Sequence, residues 1–247
     1  MSQDGVGQAA EILRSAVRVV AFTGAGVSAE SGLATFRGAG GLWEGARVED
    51  VASPDAFAAD PVRVWRFYDQ RRANAAKVRP NPAHMVLAAW QERFSGFTLV
   101  TQNVDGLHQA AGARGVVELH GSLWRVRCTG CGREREDRTA PLPELPPRCP
   151  ECGAVERPGV VWFGEALPAD DIVAAQAAVE ACEVLVVVGT SAVVYPAAGL
   201  VGVAAAAGAT VIEINPEASA LAHLAGVTLR GPAGAMLPQV DALLAGG

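Results

Sequence analysis

The stretch FTGAGVSAESGLATFRGAGGLW, residues 22–43, follows directly on the apolar run VRVVAF at residues 17–22. Gly24-Ala25-Gly26 followed by Ala29 fits the degenerate G-x-G-x-x-G/A pattern, in the required position between a strand and a helix. Residues with no side chain or only a methyl group let backbone N–H groups approach a pyrophosphate, and the start of a helix favours the negative charge of the pyrophosphate. The stretch therefore predicts a nucleotide-binding turn after the first strand of an α/β sheet.

The continuation of this stretch is unusual for a dinucleotide-binding turn. Such folds normally continue through a helix to a second strand that ends in Asp or Glu, whereas this chain reads SGLATFRGAGGLWEG. The extra length predicts a lid over the ligand, with Phe36 and Trp43 as apolar covers and Arg37 as a cation for phosphate. The alternative is a glycine-rich connection that binds no ligand.

Short apolar runs rich in β-branched residues alternate with alanine-rich stretches along the rest of the chain. The predicted buried strands are residues 17–22, 97–101, 184–189 and 210–215. The predicted helices are residues 2–14, 60–77, 82–94, 170–182, 197–207 and 235–244. This alternation predicts an α/β fold, a Rossmann-like doubly wound parallel sheet.

Two cysteine pairs interrupt this alternation within a charged, proline-rich segment. Cys128-x-x-Cys131 and Cys149-x-x-Cys152 are separated by 17 residues, which is the spacing of a zinc ribbon. Four thiolates complete a tetrahedron around one Zn²⁺ and leave no position for water, so the ion is expected to be structural. The alternatives are two local disulfides or free thiols.

The predicted domains follow from this interruption. Residues 1–123 and 159–247 are expected to form the Rossmann-like dinucleotide-binding domain, and residues 124–158 a small zinc-binding domain. Helices from about residue 36 to residue 80 are expected to belong to the small domain as well. Cys182, at the end of an apolar helix, is predicted to be a plain buried cysteine.

Composition limits the partners of the chain. Its net charge of −6 provides no basic field for non-specific nucleic-acid binding. The sequence has no apolar run of about 18 residues, which excludes a membrane-spanning helix, and its N-terminus lacks a signal pattern. We therefore expect a cytoplasmic protein, and a monomer, that binds neither nucleic acid nor membrane.

Polar residues follow two of the predicted strands. The strand at 97–101 is followed by an amide, an amide and a carboxylate, which can hold a carboxamide and sugar hydroxyls at the edge of a parallel sheet. These residues are Gln102, Asn103 and Asp105. The short apolar run VVELHG, residues 116–121, contains His120, which is suited to general-base catalysis near neutral pH.

The alternative for His120 is a hydrogen-bonded structural histidine, the commoner fate of a lone histidine. His84 and His223 are assigned that structural role. His108, on the helix predicted after Asp105, is expected either to be structural or to contact residues of the site without contacting the ligand.

Taken together, these motifs resemble the sirtuin family of NAD-dependent protein-lysine deacylases. The motifs occur in sirtuin order: GAGVSAESGLATFRG, TQNVDGLHQAAG, HG at 120–121, the two CxxC pairs, RPGVVWFGE at 157–165, GTS at 189–191 and INPE at 214–217. The resemblance covers roughly residues 10 to 240. One departure is Ala34, where the family usually has proline, which should loosen the loop without removing a functional group.

The resemblance implies an NAD site and a catalytic set. NAD is expected to be consumed as a co-substrate, and catalysis is assigned to His120, Asn103 and Asp105. The implied NAD-binding residues are Gly24, Ala25, Gly26, Ser28, Ala29, Thr35, Phe36, Arg37, Trp43, Gln102, Asn103, Asp105, Gly189, Thr190, Ser191, Asn215, Pro216, Glu217 and Ala233.

The resemblance also implies how the substrate binds and reacts. The backbone of one segment is expected to pair with an extended acyl-lysine peptide; its residues are Val160, Val161, Trp162, Phe163, Gly164 and Glu165. In the family mechanism the acyl oxygen attacks the ribose as nicotinamide leaves, and His120 then draws a proton from the ribose hydroxyls. Water finally releases free lysine and O-acyl-ADP-ribose.

The predicted helix over 64–76 bears on which acyl group is removed. Tyr68 and Arg71 are three residues apart and so share one helix face. A phenol beside a guanidinium can hold a carboxylate, such as the end of a succinyl or malonyl chain. The pair is similar to that of the sirtuin subgroup that removes acidic acyl groups, and we expect acetyl removal as well. The alternative is a surface helix with Arg71 and Arg72 in solvent.

Two other functions are compatible with the same motifs. One is a sirtuin-fold mono-ADP-ribosyltransferase, although the set of His120, Asn103 and Asp105 favours deacylation. The other is a non-catalytic adaptor that binds NAD and zinc, which would not require His120 together with the Tyr68–Arg71 pair.

Overall fold

The computed structural model describes residues 2–35 and 50–246. Its strands in chain order are β1 (Arg18–Thr23), β2 (Gly96–Thr101), β3 (Val117–Glu118), β4 (Gly121–Cys128), β5 (Glu134–Glu136), β6 (Glu156–Val160), β7 (Val184–Val188), β8 (Thr210–Ile214) and β9 (Val227–Leu229). Its helices are α1 (Ser2–Arg14), α2 (Gly26–Ala29), α3 (Pro54–Ala59), α4 (Pro61–Ala75), α5 (Pro82–Arg93), α6 (Leu107–Ala110), α7 (Ala169–Ala181), α8 (Gly199–Ala206) and α9 (Ala233–Ala245).

The larger sheet has six parallel strands in the order β3-β2-β1-β7-β8-β9. The chain builds outward from β1 to β2 and β3 on one side, and from β7 to β8 and β9 on the other. The order therefore reverses between β1 and β7, and ligands of open α/β sheets bind at such a switch point, beyond the carboxyl ends of the strands.

Helices cover both faces of this sheet, as the strand–helix alternation predicts. One core contains apolar side chains of α1, α5 and α9 packed on the sheet, and the second contains those of α7 and α8. The strand β7 has five residues, and all are buried. Burial on both faces is the reason that the central strands read as continuous apolar runs.

The smaller sheet is antiparallel, in the order β5-β4-β6. It shares a third apolar core with α4, to which Trp65, Tyr68, Trp124 and Trp162 contribute. The strand β4 runs without a break across the predicted domain boundary at residue 124. The predicted domain limits themselves remain a prediction.

The observed elements agree with most of the predicted ones and add several. The four predicted strands correspond to β1, β2, β7 and β8, each displaced by no more than one residue at either end. The predicted helices correspond to α1, α4, α5, α7, α8 and α9, within two residues at each end. No helix in the described ranges is long and apolar enough to cross a membrane.

Candidate active site

A cleft of about 740 Å³ lies beyond the carboxyl ends of the large sheet and reaches α4 and residues 160–165. Residues that the sequence assigns to NAD line it: Gly24, Ala25, Gly26, Ala29, Thr35, Gln102, Asn103, Gly189, Thr190, Ser191, Asn215, Pro216 and Glu217. His120, Tyr68, Arg71 and the whole segment 160–165 line the same cleft. Residues from seven separate parts of the sequence therefore meet in one concave surface.

Two glycine loops meet at the switch point of the sheet. The N–H of Gly26 donates to the carbonyl oxygen of Gly189 at 2.7 Å. A methyl group on Gly26 would lie 2.7 Å from that same oxygen, and one on Gly189 would lie 2.3 Å from the nitrogen of Val27. These glycines are therefore required because the loops after β1 and β7 touch. Access for a pyrophosphate, the reason predicted from sequence, does not account for them by itself.

The amide of Asn103 connects the glycine loop to a second cavity. Its Nδ2 donates to the carbonyl oxygen of Gly24 at 3.1 Å and to Oγ of Ser28 at 3.3 Å. Ser28 and Asp105 do not line the large cleft; they line an adjoining cavity of about 390 Å³. Asn103, Ala25 and Arg71 line both spaces. The predicted catalytic set is thus divided between two connected cavities.

The hydrogen bonds of His84 orient the hydroxyl of Ser28. The backbone N–H of Asn81 donates to Nδ1 of His84 at 3.3 Å, so Nδ1 carries no proton and Nε2 carries it. Nε2 lies 3.4 Å from Oγ of Ser28, and the Ser28 hydroxyl donates to Oδ2 of Asp105 at 2.8 Å. Burial raises the pKa of Asp105, an effect that its hydrogen bonds from Leu107 and Ser28 and the charge of Arg71 oppose.

His120 is held by a backbone carbonyl. Its Nδ1 lies 2.9 Å from the carbonyl oxygen of Gln102, and a carbonyl can only accept, so Nδ1 carries the proton. Nε2 is then the unprotonated nitrogen, the form that a general base requires. Burial lowers the pKa of His120, while the hydrogen bond to Gln102 raises it in part. The ring is therefore neutral near pH 7.

Helix α4 presents Tyr68 and Arg71 to the cleft, one turn apart. Tyr68 is buried, and burial raises the pKa of its hydroxyl above the usual 10.0. The Arg71 guanidinium carbon lies 5.7 Å from the centre of the Tyr68 ring. Burial lowers the pKa of Arg71, and the nearby Tyr68 and Asp105 raise it in part. The structure thus brings the predicted pair together inside the cleft.

Arg72 is not in solvent, contrary to the surface-helix alternative. It is 1% exposed and packs between the rings of Trp65 and Trp124. Its Nη2 donates to the carbonyl oxygens of Asp137 and Thr139 at 2.7 and 2.9 Å, and to Oδ1 of Asp137 at 3.1 Å. Arg72 therefore fastens α4 to the segment that follows β5, which fixes the direction in which Tyr68 and Arg71 point.

Much of the backbone of the segment 160–165 is already hydrogen-bonded within the protein. The N–H groups of Val161 and Phe163 donate to the carbonyl oxygens of His120 and Ala52, at 2.9 and 3.0 Å. The N–H of Trp162 donates to the carboxylate of Glu165 at 2.8 Å, and the N–H of Glu165 donates to the carbonyl oxygen of Trp162 at 3.0 Å. A peptide that pairs with this segment would have to use its other backbone groups, a restriction that the sequence does not reveal.

The far end of the cleft is formed by the residues after β8. Nδ2 of Asn215 donates to the carbonyl oxygen of Thr190 at 3.1 Å. Glu213, buried in β8, accepts a hydrogen bond from Ser219 at 2.5 Å and one from Arg230, and so holds the lining segment from beneath. Ala233 starts α9 and is buried, and it lines neither cavity. Phe36, Arg37 and Trp43 lie outside the described residues.

Several residues in or beside the two cavities had no signal in the sequence. Val104 lines both cavities, and Asn74 and Lys77 of the α4 end line the smaller one. Trp124, in the small sheet, donates from Nε1 to the carbonyl oxygen of Asp105 at 2.6 Å. Such contacts join parts of the chain that are far apart in sequence, so no local pattern points to them.

The four paired cysteines form a compact group at one end of the small sheet. Their sulfur atoms all lie within 4.8 Å of one another, with Cys128–Cys152 at 3.4 Å and Cys131–Cys149 at 3.8 Å. A tetrahedral zinc ion with bonds of about 2.3 Å places its sulfur ligands about 3.8 Å apart. The thiols are not joined in disulfides. The four cysteines are therefore placed to bind a metal ion, and they fit zinc.

Comparisons with known proteins agree with this arrangement. A family model described as the Sir2 family matches residues 24–196. An NAD-dependent protein deacylase of Aquifex aeolicus (strain VF5) is 50% identical over 224 residues, which cover 91% of this chain and 94% of that protein. The crystal structure of a Sir2 homologue–NAD complex is 46% identical, with a TM-score of 0.90, over 97% of this chain and 94% of that chain. A Sir2 structure bound to a myristoylated histone peptide is 33% identical, with a TM-score of 0.79, over 98% and 97% of the two chains.

Proposed function

Because the chain belongs to the Sir2 family, we propose that it is an NAD-dependent protein-lysine deacylase that removes succinyl, malonyl and acetyl groups. The observation that carries this proposal is the placement of His120: its ring lines the cleft, and its Nδ1 lies 2.9 Å from the Gln102 carbonyl oxygen, which leaves Nε2 as the nitrogen that can accept a proton. A base of this kind suits removal of a proton from a hydroxyl near neutral pH.

The cleft fits NAD as a co-substrate. Its volume of about 740 Å³ lies within the range of ligand sites, and it offers polar groups at both ends. Asn215, Glu217 and Ser191 would hold the adenosine end, and Gln102 and Asn103 the nicotinamide end. When bound, NAD supplies a reactive ribose–nicotinamide bond that drives transfer of the acyl group.

The protein's own groups then have distinct tasks. The Asn103 amide and the Ser28–Asp105 pair orient the nicotinamide end through fixed hydrogen bonds. His120 takes up a ribose hydroxyl proton on Nε2 while its Nδ1–H remains on the Gln102 carbonyl.

The part of the cleft beside Tyr68 and Arg71 is suited to bind acidic acyl groups. Arg71 and Tyr68 both line the cleft, and each can donate a hydrogen bond to a carboxylate. A succinyl or malonyl chain carries such a carboxylate, whereas an acetyl group has none. We infer that acetyl groups fit the same pocket with a lower affinity, because nothing in the pair binds a methyl group.

A panel of acetyl, malonyl and succinyl peptides with NAD tests the proposal. We expect mass spectrometry to show peptides that lose the acyl group, together with nicotinamide and O-acyl-ADP-ribose, and a kcat/KM that is higher for the acidic groups. A peptide or protein that gains the mass of ADP-ribose would instead indicate a transferase. If no acyl peptide releases nicotinamide, the protein is a binding module and the proposal is wrong.

The expected partners extend this proposal. Acyl-lysine proteins are the expected substrates, and the net charge of −6 disfavours nucleic acid. We expect a monomer in the cytoplasm. Light scattering coupled to gel filtration would check the oligomeric state.

A further inference from the structure

A buried hydrogen bond joins the peptide-binding segment to the acyl pocket. Nε1 of Trp162 lies 3.0 Å from the hydroxyl oxygen of Tyr68, and both residues are only 3% exposed. An indole N–H can donate but cannot accept. The tyrosine oxygen is therefore the acceptor in this bond, and its own proton is available for a second partner.

The position of Tyr68 indicates what that second partner is. Tyr68 and Arg71 line the same cleft, and they lie one helical turn apart. A carboxylate beside Arg71 is an acceptor that can take the phenol proton as well as the guanidinium protons. Burial keeps this phenol protonated, since it raises the pKa of Tyr68. The hydroxyl is thus a donor over the working pH range.

Other side chains fix the orientation of Trp162. The guanidinium carbon of Arg157 lies 3.5 Å from the centre of the Trp162 ring, so the two planes are in contact. Arg157 donates to both carboxylate oxygens of Glu165, at 2.6 and 2.9 Å, and Glu165 accepts the backbone N–H of Trp162 at 2.8 Å. Phe57 packs against the indole, with ring centres 5.3 Å apart. The indole N–H is therefore held in one direction before any substrate binds.

We propose that Trp162 is a positioning residue for acidic acyl groups: its indole N–H holds Tyr68 as an acceptor, so that the phenol proton faces the far carboxylate of the acyl chain. This inference rests on the proposed function and gives the Trp162 side chain a role separate from backbone pairing. An acetyl group, which has no far carboxylate, gains nothing from the arrangement.

A double-mutant cycle with Trp162→Phe and Tyr68→Phe tests this. The affinities of succinyl and acetyl peptides are measured by fluorescence anisotropy without NAD, and kcat/KM is measured with NAD. We expect each single variant to lose about tenfold in affinity for the succinyl peptide, as for one hydrogen bond to a charged group. The acetyl peptide should change by less than about twofold, and the double variant should resemble either single variant.

The matched control is Trp90→Phe, which removes an indole hydrogen bond to Asp241 between α5 and α9, away from the cleft. It should leave the ratio of succinyl to acetyl affinity unchanged. Equal losses for both peptides in Trp162→Phe would overturn the proposal, and so would additive losses in the double variant. If Trp162→Phe does not fold, Arg157→Met replaces it, and a loss that is not selective for the succinyl peptide overturns the proposal.

The same measurements separate this inference from the proposed function. Failure of the wild-type protein to release nicotinamide with any acyl peptide contradicts the proposed function, while the affinities still test Trp162. A wild-type protein that deacetylates but does not bind succinyl peptides leaves the deacylase function intact and overturns the role of Trp162.

Discussion

The two walls of the cleft are held in place by different means. The first wall consists of the loops after β1, β2, β3, β7 and β8, and main-chain contacts such as that between Gly26 and Gly189 fix it. The second wall consists of α4 and residues 160–165, and side chains such as Arg72 and Trp162 fix it. A change in the first wall should therefore affect every substrate, whereas a single change in the second wall should affect some acyl groups more than others.

Loss of the metal should remove the second wall as a whole. Structural zinc contributes about 10–16 kcal/mol in small zinc modules, and α4 shares a core with this one. We expect Cys149→Ser to lose the metal and all activity, with acetyl and succinyl peptides alike. Metal content and turnover check this, with Cys182→Ser as the control. Substantial activity in metal-free protein would show that the second wall stands without the ion.

His120→Ala tests the first wall at its chemical centre. We expect kcat/KM to fall about a thousandfold for every acyl group, since a general base contributes about 10²–10⁴. Metal content and thermal stability should not change. His223→Ala, at an exposed histidine, is the matched control. A loss confined to one acyl class would contradict the assignment of His120 as the base.

Gly189→Ala tests the contact between the two glycine loops. The added methyl group would lie 2.3 Å from the nitrogen of Val27, so the loops must separate. The control is Gly208→Ala, which also has a positive φ but meets nothing within 4 Å. We expect Gly189→Ala to reduce the free energy of unfolding by about 1–3 kcal/mol more than the control does. The KM for NAD should rise equally with each acyl peptide; an acyl-dependent rise would break the distinction between the walls.

Arg71→Met tests selectivity in the second wall. Loss of a charge that faces a carboxylate costs about 2–5 kcal/mol, so we expect kcat/KM for succinyl peptides to fall about a hundredfold. The value for acetyl peptides should fall by less than about threefold, because an acetyl group has no carboxylate. Arg66→Met, on the exposed side of the same helix, is the control. Equal losses would remove Arg71 from acyl recognition.

Two buried histidines behind the first wall should make stability depend on pH. Burial lowers the pKa of His84 to about 4, and burial and His84 lower that of His108 to about 3. Well above pH 6.5 both are neutral in the folded and unfolded states and contribute no pH dependence. As pH falls below 6.5, the two histidines bind protons in the unfolded chain but remain neutral in the folded protein, so the free energy of unfolding falls.

The expected slope is up to about 1.4 kcal/mol per pH unit for each histidine. Denaturant unfolding between pH 7 and pH 5 measures it, and His108→Gln should reduce it, whereas His223→Gln should not. An unchanged slope in His108→Gln would mean that this ring is protonated in the folded protein.

The sequence predicts the parts of the fold that depend on local patterns. The run that becomes β7 is apolar throughout, and those that become β1 and β8 are mostly apolar, because both faces of the sheet are covered. Strand β3 has two residues and β9 has three, too few to show a period. The small sheet was predicted only as a metal-bound insert, because alternating charges such as those of β5 resemble a loop.

The sequence predicts which residues form the candidate site better than it predicts the contacts that hold them there. The motifs indicate His120, Asn103 and Arg71, and the structure places all three on the large cleft. The burial of Arg72 was not predictable, because its partner Asp137 is 65 residues away. The bond between Tyr68 and Trp162 spans 94 residues and is likewise a product of tertiary packing.

The attachment of α4 at Arg72 limits how this pocket can diverge over time. Each residue of a helix advances the face by about 100°, so one residue inserted between Arg71 and Arg72 would rotate Tyr68 and Arg71 away from the cleft. The insertion would leave Arg72 in place, since Asp137 and Thr139 hold it. New acyl preferences can therefore arise by exchange of the side chains at 68 and 71, whereas an insertion between Arg71 and Arg72 would remove both side chains from the cleft.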